Sequence, residues 1–266
     1  MRLSIVTVAF NAEQSIEKTI LSIYNQSVPV HEYILIDGGS TDGTVNIIKS
    51  YVSKFAEKEI RFMYISEKDR GISDAFNKGI SRATGDLIGL INSDDELLPE
   101  ACNILSKVYD VVQSDVYYGN CIWEEACNNL AFVSKPKVTD AARLNKLLYN
   151  MVMIHPSTFI TKEAYGKYGG YDISYRYCMD QELLYRMYKN HARFQYIDKE
   201  LTRFLAGGVS DSNPKKVFRE ASRIAVENGE PLIKVKLIEY EKRFRDYAAR
   251  KAKKIGLYSI IKKQGD

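Results

Sequence analysis

Asp86-Leu87-Ile88-Gly89-Leu90-Ile91-Asn92-Ser93-Asp94-Asp95 is an apolar run that ends in two adjacent carboxylates. It reads as a buried strand that delivers Asp94 and Asp95 to its exposed C-terminal end. An unpaired carboxylate is costly to bury, so a strand does not carry two without a reason. In open α/β sheets ligands bind outside the carboxyl ends of the strands. A carboxylate pair there can hold a divalent cation, and the cation can hold a diphosphate.

The segments before this run alternate between the two hydrophobic periods. Residues 3–10 are a strand of β-branched and apolar residues, and residues 12–25 carry Ile16, Ile20 and Ile23 at helical spacing. Residues 33–36 are a short strand closed by Asp37-Gly38-Gly39-Ser40-Thr41-Asp42-Gly43. Residues 44–55 and 72–82 read as helices, residues 60–65 and 116–118 as strands, and Pro99 stands near the start of a helix over 100–112. Alternation of this kind predicts an α/β fold with a mostly parallel central sheet and helices on both faces.

Beyond residue 120 the regularity stops. Residues 121–133 read as a hairpin turning at Asn128-Asn129. Residues 139–149 read as a helix capped by Thr139 or Asp140, and residues 151–160 are apolar around His155-Pro156-Ser157. Gly169-Gly170-Tyr171-Asp172 is a turn, residues 180–189 a helix, and residues 193–197 and 201–205 short strands. From Asn213 the chain reads as helical and basic. The expected division is one domain over 1–212, in two halves (1–120 and 121–212), and a C-terminal extension over 213–266.

Composition narrows the function classes. The 266 residues are 45% hydrophobic and 27% charged, as in ordinary globular proteins. No apolar run approaches the roughly 20 residues of a membrane span. Met1 leads directly into a strand, so a cytoplasmic location is expected. The four cysteines form no CxxC pair and the three histidines are scattered, which argues against zinc. GxGxxG, P-loop and HExxH patterns are absent.

The net charge of +4 is uneven. Residues 213–266 hold 15 Lys plus Arg against 7 Asp plus Glu, or +8; the remainder holds 23 against 27, or −4. The basic tail suits an anionic surface. Its end, Lys253-Lys254-Ile255-Gly256-Leu257-Tyr258-Ser259-Ile260-Ile261-Lys262-Lys263, reads equally as an interfacial segment or as a helix packed on the catalytic domain.

Each candidate residue has a bland alternative. The Gly-Gly-Ser-Thr-Asp-Gly turn after Asp37 can be a mere strand-to-helix connection, which leaves Asp37 itself unexplained. One of Asp94 and Asp95 can serve as a helix cap, but not both. Asp180 in a first helical turn is ordinarily explained by the helix dipole, and a lone His155 among apolar residues by core packing.

In order and spacing these segments resemble the family 2 glycosyltransferases of the GT-A fold, over roughly residues 2 to 205. The resemblance is carried by Ser4-Ile5-Val6-Thr7-Val8-Ala9-Phe10-Asn11, by Gln26-Ser27, and by Ile36-Asp37-Gly38-Gly39-Ser40-Thr41-Asp42-Gly43-Thr44. It continues through Asp69-Arg70-Gly71-Ile72-Ser73-Asp74-Ala75-Phe76-Asn77-Lys78-Gly79, Thr84-Gly85-Asp86, Asn92-Ser93-Asp94-Asp95 and Met179-Asp180-Gln181-Glu182-Leu183. It implies an inverting transferase that moves a sugar from a nucleotide donor, a UDP-sugar by family habit, to a saccharide hydroxyl in bacterial surface-polysaccharide assembly. A lipid-linked acceptor and attachment of the basic C-terminus to the inner face of the cell membrane go with it, and no nucleic acid.

By the same resemblance Phe10 and Asp37 contact base and ribose, and the segment from Asp69 to Asn77 lines that pocket. Asp94 contacts ribose or donor sugar, Asp95 holds Mn2+ or Mg2+, and Asp180 is the catalytic base. His155 and Trp123 help to shape the acceptor side. Two departures stand out: Asn92 replaces the first acidic residue of the usual Asp-x-Asp-Asp pattern, and Gly38 replaces the second Asp of the common Asp-Asp-Gly-Ser turn. The alternatives are a non-catalytic nucleotide-sugar-binding protein, a nucleotidyltransferase, which would need a basic N-terminal loop absent from Ala9-Phe10-Asn11-Ala12-Glu13, and a glycosidase, which would leave the Asp37 turn unexplained.

Overall fold

The computed structural model describes residues 1–125, 130–205 and 213–254. The expected turn at Asn128-Asn129, Cys127 and the apolar patch from Ile255 onward lie outside them. Contacts divide the chain into two compact units, Met1–Gly208 and Val209–Asp266.

In the first unit the strands are β1 (Leu3–Ala9), β2 (Glu32–Asp37), β3 (Arg61–Ser66), β4 (Leu87–Asn92), β5 (Glu96–Leu97), β6 (Val116–Glu125), β7 (Leu130–Ser134), β8 (Thr158–Thr161) and β9 (Phe194–Leu205). Among the described residues they form one sheet in the order β3-β2-β1-β4-β8-β6-β9-β5, with β7 paired to β6. β3, β2, β1 and β4 run parallel, and β8 joins β4 to β6 antiparallel on both sides. The helices are α1 (Ile16–Tyr24), α2 (Thr44–Ser50), α3 (Val52–Glu57), α4 (Ile72–Arg82), α5 (Ala101–Val111), α6 (Lys162–Tyr168) and α7 (Met179–Lys189).

β1, β2 and the first five residues of β4 are buried throughout, which is why they read as continuous apolar runs rather than alternating ones. Ile16, Ile20 and Ile23 of α1 bury the face that their spacing predicts. α4 lies so close to β1 that a Cβ on Gly79 would meet Val6 Cγ1 at 2.2 Å.

A buried acid anchors the N-terminal pole of the sheet. Glu32 is fully buried; Ser4 Oγ donates to it at 2.6 Å, Thr84 Oγ1 at 3.1 Å and Gly85 N at 3.2 Å, and Arg61 pairs with it. Burial opposes its charge, but the donors from Ser4, Thr84 and Arg61 outweigh burial and hold the carboxyl below its ordinary range.

Four sequence expectations change. The helix over 44–55 is broken at Tyr51 into α2 and α3. The helix over 139–149 is a 3-10 segment, Ala141–Leu148, in which Asp140 Oδ1 accepts from Ala142 N at 2.9 Å; Leu144, Leu147 and Leu148 are buried, a spacing that suits either helix type. The strand over 116–118 extends to Glu125, and the two strands over 193–205 are one. β6 and β9 run parallel along this length, with register shifts at Gly119/Asn120 and Asn120/Cys121 that hide both from a two-residue pattern.

The second unit contains α8 (Pro214–Glu227) and α9 (Leu232–Lys254). Among its described residues, Ala221, Ile224 and Ala225 of α8 and Val235 of α9 are the buried apolar ones.

Candidate active site

The strand order creates the site. From β1 the chain moves outward through β2 and β3, then returns to place β4 on the other side of β1, so the β1/β4 boundary is a switch point where a crevice opens at the carboxyl ends. Register brings those ends level: Ala9 pairs with Asp37, Asp37 with Ser66, and Val8 with Asn92. Phe10, Asp37, Asp69, Asp94 and Asp95 therefore emerge along one rim.

Asp37 is fully buried and organises its own turn. Oδ2 accepts from Ser66 Oγ at 2.6 Å, Ser40 N at 3.0 Å and Gly39 N at 3.2 Å, and Ser40 Oγ donates to Oδ1. These bonds supply the local explanation of Asp37 that a plain turn lacked. Gly39, at φ +86°, needs the freedom of glycine. Asn11, at φ +49°, clips the β1 end to the same turn: its amide donates to Ser40 Oγ at 2.8 Å, and its Oδ1 accepts from Thr41 N at 2.9 Å.

This arrangement leaves Phe10 63% exposed, unusual for a phenylalanine directly after a buried strand. A Cβ on Gly38 would meet Asp69 Oδ2 at 2.6 Å and Phe10 Cδ2 at 3.5 Å. Phe10 and Asp69 thus both stand against Gly38 and line one recess with it, which combines an exposed apolar ring and a carboxylate. Gly38, a departure at the sequence level, is a steric match for Asp69. Asp69 Oδ1 accepts from Gly71 N at 2.8 Å, and beside it Arg70 pairs with Asp74 at 2.8 Å.

On the other side of β1, Asp95 is fully buried. Asn92 Nδ2 donates to its Oδ2 at 2.9 Å, and Thr19 Oγ1 holds its backbone carbonyl at 2.7 Å. Asp95 Oδ1 and Asn92 Oδ1 are both buried and both lack a hydrogen-bond partner. Burial, then the neighbouring Asp94, pushes the Asp95 carboxyl up to about 7; hydrogen bonds from Asn92 and from the Leu205 backbone at the end of β9 offset this in part. Asp94 is exposed at the rim, with a carboxyl set back far enough for desolvation to raise it too. Orphaned buried oxygens of this type suit a hard divalent cation. No group of three or more His, Cys, Asp or Glu that could hold a metal occurs among the described residues. Cys121 of β6 feels the Asp95 charge, and burial followed by that charge lifts its thiol to about 11.

Asp180 lies half-buried in the first turn of α7, its Oδ1 accepting from Gln181 N at 2.8 Å. α4 holds this region: Ser73 Oγ donates to Tyr175 O at 3.0 Å and lies 2.8 Å from Met179 Sδ. His155 belongs to the same neighbourhood. Its Nε2 is 3.0 Å from Tyr171 OH and its ring is 5.6 Å from that of Phe76; burial lowers its pKa, and the charge of Asp180 works against that shift. Tyr171, in turn, is raised well above its ordinary value by burial, next by Tyr165 and then by Asp180.

Two expected site residues have other described partners. Asn77 Nδ2 donates to Tyr171 O and its Oδ1 accepts from Tyr171 N, both at 2.8 Å, so its amide clamps the turn before α7 onto α4. Trp123 sits with Phe204 and Phe132, at centroid distances of 4.7 and 6.4 Å, two residues along β6 from Cys121 and on the same strand face. Tyr171 went unnoticed in sequence as part of a Gly-Gly-Tyr-Asp turn; its only signal was a tyrosine following two glycines.

A switch-point crevice with Phe10, Gly38 and Asp69 on one side of β1 and an orphaned buried carboxylate on the other lies where an open α/β sheet takes its ligand. Residues 4–169 match the model of Glycosyl transferase family 2, and the chain belongs to that family. It is 26% identical over 191 residues to a PGL/p-HBAD biosynthesis glycosyltransferase of Mycobacterium bovis, covering 71% of this chain and 70% of that one. Among solved structures, S. aureus TarS 1-349 in complex with UDP-GlcNAc superposes with a TM-score of 0.66 at 17% identity, over 91% of this chain and 71% of that one. The mannosyltransferase PcManGT of Pyrobaculum calidifontis, in complex with GDP-Man and Mn2+, gives a TM-score of 0.64 at 15% identity, over 91% and 68%. The chain spans 42% of the longer TarS chain. No helix among the described residues is long and apolar enough to cross a membrane.

Proposed function

We propose that the protein catalyses inverting, divalent-metal-dependent transfer of a sugar from a UDP-sugar to a hydroxyl of a lipid-linked saccharide acceptor, at the cytoplasmic face of the membrane, in surface-polysaccharide synthesis. The observation that carries this is the fully buried Asp95 with an unpartnered Oδ1 at the switch point, beside the Phe10–Gly38–Asp69 recess. Relatives named as glycosyltransferases and neighbours solved with UDP-GlcNAc or GDP-Man support it.

In this scheme Phe10 stacks on the base and Asp69 accepts from its edge. The turn built by Asp37 keeps that recess open, and Asp94 meets the ribose or donor sugar. Asp95 Oδ1 and Asn92 Oδ1 would hold Mn2+ or Mg2+. Such a cation would supply positive charge against the charge that develops on the departing nucleoside diphosphate. Asp180 accepts the proton of the acceptor hydroxyl as its oxygen forms the new bond to the anomeric carbon. The carbon–phosphate oxygen bond breaks on the opposite face, and its electron pair leaves with the diphosphate. His155 and Tyr171 set the environment of Asp180, and Trp123 lines the acceptor side.

Asp180→Asn tests the scheme. The variant is expected to bind UDP with Mn2+ as the wild type does, read as the same rise in melting temperature, and to lose transfer by about a thousandfold or more. Wild-type transfer by this variant would remove Asp180 from the chemistry. The absence of any nucleotide-dependent shift in the wild type would remove the donor site.

A further inference from the structure

α9 carries a face that nothing among the described residues covers. Ile233, Leu237, Tyr240, Phe244 and Tyr247 are between 62% and 77% exposed. They recur at intervals of four, three, four and three residues, so they form one stripe about 21 Å long. The opposite side of the helix is the packed one: Val235 is buried, and Glu239 accepts from Ser222 Oγ of α8 at 3.1 Å. An isolated exposed leucine needs no explanation, but five large apolar residues in register do.

The charge around the stripe indicates what fits it. α9 holds nine Lys plus Arg against three Asp plus Glu, or +6. The unit Val209–Asp266 holds 15 against 8, or +7, while the rest of the chain holds 23 against 26, or −3. Acids of this hairpin are tied up at i,i+4: Glu230 with Lys234 at 2.7 Å, Glu239 with Arg243 at 2.5 Å and Glu241 with Arg245 at 2.6 Å. By helical geometry Lys236 and Arg243 border the stripe on one side, Lys234 and Arg245 on the other, and Lys251 continues its line.

We propose that this stripe docks α9 on an anionic lipid surface. The helix lies in the plane of the interface, with Ile233, Leu237 and Phe244 among the upper acyl carbons, Tyr240 and Tyr247 at headgroup depth, and Lys236 and Lys251 on lipid phosphates. A second copy of the chain fits less well. Seam-to-seam pairing would set +6 against +6, and three of the five seam residues are aromatic where a two-stranded seam favours Ile, Val and Leu. The surface lies on residues 233–247, separate from the Ile255–Ile261 patch, and it does not depend on the transferase chemistry.

The test is co-sedimentation of the full chain, without donor or metal, with vesicles of phosphatidylcholine containing roughly a third phosphatidylglycerol, against vesicles of phosphatidylcholine alone. Binding is expected to the anionic vesicles only and to weaken as salt rises. Leu237→Ser combined with Phe244→Ser is expected to lower partitioning by about tenfold or more, with unchanged circular dichroism and melting temperature because both residues are exposed. Lys236→Glu combined with Lys251→Glu is expected to lower it comparably. Three results would overturn the proposal: no binding to anionic vesicles, binding that the Leu237 and Phe244 substitutions leave intact, or a lipid-free dimer in sedimentation equilibrium that the same substitutions dissolve.

Discussion

Asp95→Asn is the perturbation that separates a ligand-holding carboxylate from a structural one. Burial and Asp94 lift the Asp95 carboxyl from 3.8 to about 7. That is about three powers of ten in proton affinity, each worth about 1.4 kcal/mol, so carrying the charge costs the folded chain about 4 kcal/mol at most. Asparagine is neutral at every pH but brings an N–H pair to a position where Oδ1 has no partner, so a net gain of about 2 kcal/mol is expected at pH 8. The sign follows from proton counting. The folded pKa is raised, so between about pH 4 and pH 7 the folded state keeps a proton that the unfolded state has released. This group's contribution therefore falls as pH rises through that window and is flat above it.

Urea unfolding in the presence of a chelator at pH 5 and pH 8 reads this directly. The stability difference, wild type minus variant, is expected to drop by about 2–3 kcal/mol from the lower pH to the higher. Adding Mn2+ and UDP at pH 8 is expected to reverse the order, stabilising the wild type and leaving the variant unmoved. A variant less stable than the wild type at pH 8 in chelator, or a difference that does not change with pH, would refute the reasoning.

Phe10→Ala is expected to leave the melting temperature unchanged, since the ring is exposed, and to weaken UDP binding about 10- to 100-fold through lost stacking; calorimetric titration decides, and unchanged affinity would move the base elsewhere. Gly38→Ala pushes a methyl against Asp69 Oδ2, and a loss of about tenfold in UDP affinity is expected from the same titration, with Asp69→Asn combined with Gly38→Ala no worse than Gly38→Ala alone. Gly79→Ala drives a methyl into Val6 beneath α4 and is expected to cost about 2–3 kcal/mol in chemical denaturation; a cost below about 0.5 kcal/mol would mean that α4 is not held against β1.

The parallel half of the fold was readable because its strands are buried on both faces and its helices carry simple stripes: Ile34, Leu35 and Ile36 can hardly be anything but a central strand. The half after residue 120 was not. Around Asn120 the β6–β9 register slips, and Asp198-Lys199, which look like a turn, remain inside β9, with Asp198 accepting from Asn120 Nδ2 at 3.0 Å. The rim carboxylates were legible because Asp94 and Asp95 follow an apolar run. The partners of Asn77 were not, because its clamp on Tyr171 spans 94 residues and leaves no local trace. Gly38 appeared as a loss in sequence; only the approach of Asp69 reveals it as an accommodation.

β8 is four residues long, yet it alone stands between β4 and β6 in the sheet. A fragment ending at residue 120 would contain the whole base recess and Asp95 but would leave β4, buried and nearly all apolar, as a bare edge with unpaired backbone donors and acceptors. Such an edge is a template for intermolecular strand addition. The first 120 residues, self-contained in their motifs, are therefore not a separable module; expressed alone they should aggregate, and segment 158–161 has to be in place before they become soluble.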